Sequence, residues 1–323
     1  MYMMRFDMRA PQDDSSTVTE LYKAALEMCK WGEQNGCFMA MVSEHHASAD
    51  GYLPSPIVLA TAMAAQTSSL PISISALLLN MYDPIKLAED MVVLDVLSDG
   101  RVSYIMGLGY RQEEYEMFGV EMSQRATVIE EKLAAVLTAL SGEPFEYKGR
   151  KVHVTPGVQS DGISISYGGH SVAAAKRAGR FGLNFFANGG EQELAEVYRQ
   201  AAITAGHEPG FAAIPAPDSP TTLFVAKDLD RAWEKLGPYM LYDAGVYDQW
   251  GGAYKTSNLS KALTVEAMRA EKGAYQIVTP DEAVAMIQSG RPLGLQPLCG
   301  GCPPQYGWEC LKLIASDVLP ALG

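Results

Sequence analysis

Short β-rich runs alternate with longer stretches of helical periodicity along almost the whole chain. That alternation limits the fold to the α/β class. Met3 to Arg9 reads as a first strand, and Val18 to Glu33 as a helix that stops at Asn35-Gly36. Cys37 to Ser43, Ile72 to Leu79 and Arg101 to Gly107 are the next strands. The helices between them are Pro56 to Gln66 and Pro84 to Leu97, the latter opening at Asp83-Pro84 with a cap and a proline at the first helical position. A long helix, Ser123 to Leu140, is expected to be capped by Ser123.

The pattern then breaks for a hairpin, Phe145 to Val154, around Lys148-Gly149. It resumes with strands at Ile163 to Tyr167, Leu183 to Ala187, Thr221 to Lys227 and Pro292 to Leu298. The helices that follow are Ser171 to Arg180, Glu191 to Ala205, Asp228 to about Gly245, Pro280 to Ser289 and Gln305 to Leu322. Tyr247 to about Gly273 lacks periodicity and reads as an insertion. Eight strand–helix units in 323 residues predict a (β/α)8 TIM barrel, one domain over 1–323, with insertions after helix 4 and between strands 7 and 8. An open doubly wound sheet is the alternative.

A formal net charge of -13 argues against nucleic acid and against an anionic membrane surface as partner. A phosphorylated ligand would therefore need a local positive spot. No apolar stretch is long enough to span a bilayer, and Arg5, Asp7 and Arg9 interrupt the N-terminal run, so it does not read as a signal peptide. The five cysteines are unevenly spaced, which suits a reducing cytoplasm.

In a barrel the chemistry sits at the C-terminal ends of the strands. Glu44-His45-His46, Leu79-Asn80, Gly107 to Arg111, Tyr167 to Ser171, Asn188-Gly189-Gly190 and Cys299-Gly300-Gly301-Cys302 all fall there. Gly168-Gly169 before a helix opened by His170 and Ser171 is a candidate phosphate loop, or ordinary turn chemistry. Lys176 and Arg177 lie in the same helix and suit phosphate or solvent. Gly107-Leu108-Gly109 is not a dinucleotide fingerprint, because Gln112 stands where a third glycine belongs. Glu44-His45-His46 fits hydrogen bonding in the barrel mouth, a metal site, or an acid–base group for redox chemistry. Neighbouring strand residues point opposite ways, so His45 and His46 do not easily share one metal, and no metal site is expected. The Cys299/Cys302 pair reads as a glycine-rich turn rather than a dithiol, and the methionines as core filling.

Taken together, several segments resemble the bacterial luciferase-like superfamily of flavin- and deazaflavin-dependent oxidoreductases. They are Cys37 to His46, Leu79 to Pro84 with Leu87 to Asp90, Leu94 to Val102, Gly109-Tyr110-Arg111 with Phe118-Gly119, Tyr167-Gly168-Gly169, and Gly300 to Pro304. The resemblance covers nearly the whole chain. It implies a barrel with an insertion and a cofactor phosphate at the helix after strand five. It implies cofactor contacts from Ser75, Ala76, Asn80, Arg111, Arg125, Gly168, Gly169, His170 and Ser171. Arg125 and Ser171 match the phosphate ligands, and Ser75-Ala76 the small residues against the ring, where a non-proline cis peptide is expected.

His45 matches the family's histidine at the reactive edge, with Glu44 and His46 completing the catalytic segment. The cofactor implied is FMN, reduced and used with O2 in a monooxygenase reaction on a small organic substrate. F420 is the alternative, with hydride transfer in place of oxygen chemistry. A flavin reductase and a second copy of the chain are the implied partners. His170 departs from luciferase proper, which has an acid there. A non-catalytic flavin-binding protein and a cofactor-free or metal-dependent hydrolase remain as alternatives from other classes.

Overall fold

A computed structural model of the chain describes residues 1–11, 17–187, 189, 191–216, 219–251 and 260–323. In chain order the elements are β1 (Tyr2–Phe6), α1 (Val18–Gln34), β2 (Cys37–Val42), α2 (Pro56–Gln66), β3 (Ile72–Leu78), α3 (Pro84–Ser98) and β4 (Val102–Gly107). Then come α4 (Gln112–Met117), α5 (Arg125–Ala139), β5 (Phe145–Tyr147), β6 (Arg150–Val152), β7 (Ser164–Gly168), α6 (Val172–Arg180), β8 (Asn184–Phe186), α7 (Leu194–Thr204) and β9 (Ala212–Ala213). The last are β10 (Thr222–Val225), α8 (Leu229–Trp250), α9 (Val265–Glu271), β11 (Tyr275–Val278), α10 (Pro280–Gln288), β12 (Leu293–Leu295) and α11 (Pro304–Leu313).

Contacts group the chain into two compact units: Met1–Met41 with Ser48–Leu53 and Pro215–Gly323, and Val42–Ala47 with Pro54–Ile214. In the first, strands run β11-β10-β12-β1-β2. β10 pairs in parallel with β11 and β12, and β12 with β1. The side chains of β1 alternate between buried and half-buried, so Tyr2, Met4 and Phe6 enter the core. Helix α1 opens on a capping box, Thr17 with Glu20, and α10 on another, Thr279 with Glu282.

In the second unit the order is β3-β4-β7-β8-β9, all parallel, with β5 and β6 as a separate antiparallel hairpin. Asp83 accepts from the backbone N–H groups of Ile85 and Lys86 and starts α3. Arg101, just before β4, holds the end of α2 and the turn into β3. Its guanidinium donates to the carbonyls of Ala64, Thr67 and Leu70 and to the Thr67 hydroxyl, at 3.0–3.2 Å. Helices α6 and α7 cross so closely at Gly179 that a Cβ there would lie 2.6 Å from the Ala202 nitrogen.

Four expectations need correction. Ser123 caps nothing: it sits in a 3-10 turn whose Glu121 accepts from the Ser123 N–H, and α5 begins at Arg125. The first strand ends at Phe6, so Arg9 lies beyond it. Helix α8 does not stop near Gly245 but runs on to Trp250, because its last turns pack around a buried cation. The stretch from Tyr247 to about Gly273 is not one irregular insertion either, since it holds the end of α8 and all of α9, and an unexpected strand, β11, follows it. Residues 252–259 of that stretch, and Asn188 and Gly190 from the expected rim, lie outside the described residues.

Candidate active site

The chain leaves β2 into Glu44-His45-His46, and both imidazoles are nearly buried. Their side chains diverge, as alternation along an extended segment requires. His45 Nδ1 lies 2.7 Å from Glu114 Oε1, whereas His46 Nε2 lies 2.9 Å from Glu44 Oε1. Each imidazole thus has its own carboxylate. Among the described residues no group of three or more His, Cys, Asp or Glu is placed to hold a metal.

Glu114 sits on the short helix α4 and is fully buried. Its Oε1 also accepts from the His46 backbone N–H at 3.0 Å, and Arg111 Nη1 lies 3.6 Å away. Burial pushes the Glu114 carboxyl up, but its bond to His45, the His45 charge, the His46 N–H and Arg111 together hold it below the usual carboxylate value. The Glu44 carboxylate is also fully used: Tyr82 donates to Oε1 at 2.6 Å and the Leu78 N–H to Oε2 at 2.6 Å. His45 Nε2 faces the Tyr110 hydroxyl at 3.5 Å, with the two rings edge to face.

The peptide bond between Ser75 and Ala76 is cis. Here the register of β3 on β4 slips, so Ser75 pairs with Ile105, Leu77 with Met106, and Ala76 is left over. Both small side chains are half-buried. Gly107 lies against them: a Cβ on it would come within 2.8 Å of the Ala76 Cβ. Asn80, just past β3, is buried and donates to the Tyr115 hydroxyl at 2.9 Å and the Arg125 carbonyl at 3.1 Å. Its Oδ1 is buried with no hydrogen-bond partner among the described residues. Arg125, half-buried at the start of α5, donates to the Met122 carbonyl at 3.0 Å.

Strand β7 ends at Gly168, and Ser171 caps α6 by accepting from the Ala174 N–H at 3.2 Å. The loop is pressed onto the helix, since a Cβ at Gly169 would lie 2.6 Å from the Ala174 Cβ. The exposed Ser171 hydroxyl keeps its own proton for donation. Arg177 is no phosphate ligand: it is buried, paired with Glu130 at 2.8 Å and bonded to the Tyr167 hydroxyl at 3.1 Å. Lys176 on the same helix is exposed.

Leu78 pairs with Gly107 and Met106 with Tyr167, so the C-terminal ends of β3, β4 and β7 share one edge. The edge therefore gathers Asn80, Tyr110, Arg111, Gly168, Gly169, His170 and Ser171, and the Leu78–Glu44 bond joins His45 and His46 to it. Arg111, expected to touch cofactor, spends its guanidinium on the His46 carbonyl and Glu114. Sequence reasoning missed Glu114, Tyr110 and Tyr82 as site residues. Acidic residues in the first turn of α4 were the available signal, but six residues are too few to show periodicity. Cys299 and Cys302 are buried in a turn and not joined in a disulfide, and burial pushes the Cys299 thiol well up.

No helix among the described residues is long and apolar enough to cross a membrane. A family model described as luciferase-like monooxygenase matches residues 3–286. The alkanal monooxygenase alpha chain of Photorhabdus luminescens is 25% identical over 201 residues, 59% of this chain and 56% of that one. The chain spans about half the length of the curated relatives it matches. The FMN-bound oxygenating constituent of 3,6-diketocamphane monooxygenase from Pseudomonas putida superposes with a TM-score of 0.69 at 19% identity, covering 100% of this chain and 99% of that one. The coenzyme F420-dependent tetrahydromethanopterin reductase of Methanopyrus kandleri does so with a TM-score of 0.66 at 18% identity, over 100% and 99%. At such identities the structures show the fold, the parallel α/β arrangement of luciferase-like TIM barrels. With the family model matched over most of its length, this chain belongs to the luciferase-like monooxygenase family.

Proposed function

We propose that the chain is a flavin-dependent monooxygenase that uses reduced FMN and O2 on a small organic substrate. The observation that carries this is a nearly buried imidazole, His45, paired with a buried carboxylate on the strand edge that also bears the small-residue surface of Ser75, Ala76 and Gly107. A flat ring needs such a surface, and its phosphate needs an anion site. The capped N-terminus of α6, with Ser171 and the Gly168-Gly169 turn, offers one, and Arg125 supplies the positive charge that a net charge of -13 makes necessary. Asn80 Oδ1, with no partner among the described residues, is a buried acceptor suited to a ring N–H. The donor set therefore fits a phosphorylated tricyclic cofactor.

When bound, the reduced flavin supplies the electrons that activate oxygen. The protein's share is to hold the ring, exclude water and move a proton. His45 moves that proton at Nε2. Glu44 and His46 fix the loop through Leu78 and Tyr82, and Arg111 holds the His46 carbonyl. F420 is the second reading, favoured by the F420-dependent structure among the neighbours. A separate reductase would deliver reduced FMN to a chain acting in the cytoplasm. Val58 on α2 and Val93, Val96 and Leu97 on α3 are exposed apolar side chains, which supports a homodimer through these helices.

Titration with FMN, reduced FMN and F420, followed by absorbance and fluorescence, tests the cofactor. Saturable binding of one of them is expected, weakened by Ser171→Ala and by Arg125→Ala. Binding by none removes the proposal.

A further inference from the structure

We infer that Glu114 is a positioning residue that holds His45 as the Nδ1–H tautomer and leaves Nε2 as the proton-exchanging atom facing Tyr110. The inference deepens the oxidoreductase reading and rests on it for its chemistry, but its geometry stands apart from any cofactor.

The argument begins at one oxygen. Glu114 Oε1 is 3.0 Å from the His46 backbone nitrogen, and a backbone N–H can only donate. Oε1 is therefore already an acceptor. The same atom lies 2.7 Å from His45 Nδ1, and a carboxyl held below its usual value by these contacts has no proton to give, so the proton of that bond belongs to the imidazole. Arg111 Nη1, 3.6 Å away, adds positive charge that favours the ionised carboxylate.

With Nδ1 occupied, a neutral His45 has its lone pair at Nε2, 3.5 Å from the Tyr110 hydroxyl. Proton exchange takes place at Nε2 while the Nδ1–H···Oε1 bond persists. Glu114 takes up no proton; it stabilises the imidazolium that forms, as the carboxylate of a Ser-His-Asp triad does for its histidine. Glu114 and Arg111 face the ring from α4 and the residue before it, and Tyr110 from the end of the β4 loop. His46 beside it is turned to Glu44 and the Phe118 ring, and Glu113 reaches outward, 4.0 Å from Arg111. Within this set Glu114 carries the anionic charge in direct contact with the imidazole.

A purely structural role for Glu114, anchoring the His46 backbone and Arg111, would leave the ring's proton where it is. Nitrogen-15 NMR of ring-labelled histidine in the cofactor-free protein separates the two, with the His45 signals assigned by their loss in His45→Gln. The parent is expected to show a pyrrole-type Nδ1 and a pyridine-type Nε2. In Glu114→Gln the amide oxygen still accepts, so the tautomer persists while the His45 midpoint falls by about 1 pH unit or more, as loss of an adjacent opposite charge predicts. In Glu114→Ala the proton moves to Nε2, as in free imidazole. An Nε2–H tautomer in the parent, or an unchanged midpoint in Glu114→Gln, overturns the inference. The Gln variant keeps the side chain's shape, so it decides the matter if the Ala variant does not fold. A parent that shows the Nδ1–H tautomer yet binds neither FMN nor F420 would refute the cofactor reading and leave the role of Glu114 intact.

Discussion

The two units each bury a cluster of charges, and the clusters are built on opposite principles. In the first unit Arg9 is fully buried. It is bonded to Asp50 at 2.6 Å and paired with Asp243 at 3.0 Å and Asp7 at 3.5 Å, and the rings of Tyr52, Tyr247 and Trp250 surround it at 4.7–4.8 Å. Tyr242 and Tyr275 bond to Asp50 and Asp243, and Gln296 to Asp7. A guanidinium does not lose its proton in a protein, so its charge here is permanent and its faces are covered by aromatic rings. In the second unit the Glu114 carboxylate lies between the Arg111 guanidinium and the imidazole of His45, the side-chain type most used for proton transfer, and the other ring nitrogen faces the Tyr110 hydroxyl. Buried charge by itself therefore does not mark chemistry. A titratable ring that meets a carboxylate at one nitrogen and a hydroxyl at the other is the better marker.

The contrast can be broken most easily at Arg9. Arg9→Met should cost about 3–5 kcal/mol of stability, because it leaves the surrounding carboxylates buried and unpaired. Denaturant unfolding measures this, and a variant as stable as the parent would show that the cluster is not structural. His45→Ala should do the reverse. Turnover should fall by about 10²–10⁴-fold, as for loss of a general acid–base group, while cofactor affinity and the unfolding midpoint barely move. A variant with full turnover removes His45 from the mechanism.

The pH dependence of stability sharpens the same comparison. Burial first, then the Asp243 carboxylate, push Asp7 up to about 7 from 3.8. A carboxyl raised on folding stabilises below its unfolded value, and that contribution drains away as pH rises from about 4 through about 7. Asp7→Asn should flatten this fall, which is on the order of a few kcal/mol. Glu114 has the opposite sign. Its value is lowered from 4.5, so its contribution is present above 4.5 and is lost as acid takes the pH down through the folded value. Unfolding followed at a series of pH values, in the parent and in Asp7→Asn, resolves both limbs. The smallest effect is expected at Ser171→Ala. Losing the α6 cap should cost about 1 kcal/mol of stability and weaken cofactor binding. Unchanged affinity in that variant would mean the phosphate does not sit at this helix.

Most of the scaffold was legible because it is written in local signals. Asp83-Pro84 at the start of α3 and Ser171 at the head of α6 fall where cap chemistry puts them. The cis bond at Ser75-Ala76 was legible only through the resemblance to a family, since no propensity of Ser or Ala points to it. Where reading failed, a distant partner had overruled a local rule. Gly245 and Pro238 both signal a helix end, yet α8 continues because Asp243, Tyr247 and Trp250 must reach Arg9. Ser123 has a cap's chemistry, but Glu121 takes the turn first. Glu114 looked like one acid among several in a polar run, and nothing local reveals that it is buried beside an imidazole 69 positions earlier. The Glu44-His45-His46 segment was visible in the sequence, whereas the carboxylate paired with His45 was visible only in space.

The four bonds of Arg101 also bear on the order in which the molecule can be made. The turn that delivers β3, and with it Ser75 and Ala76, is fastened by a side chain 31 to 37 positions further along. A chain emerging from its N-terminus must therefore present the surface of β3 before the clasp that secures it exists. The strand that we propose lies under the cofactor spends part of synthesis as a loosely held, apolar ribbon, and its final seat waits on a guanidinium that arrives with the following strand.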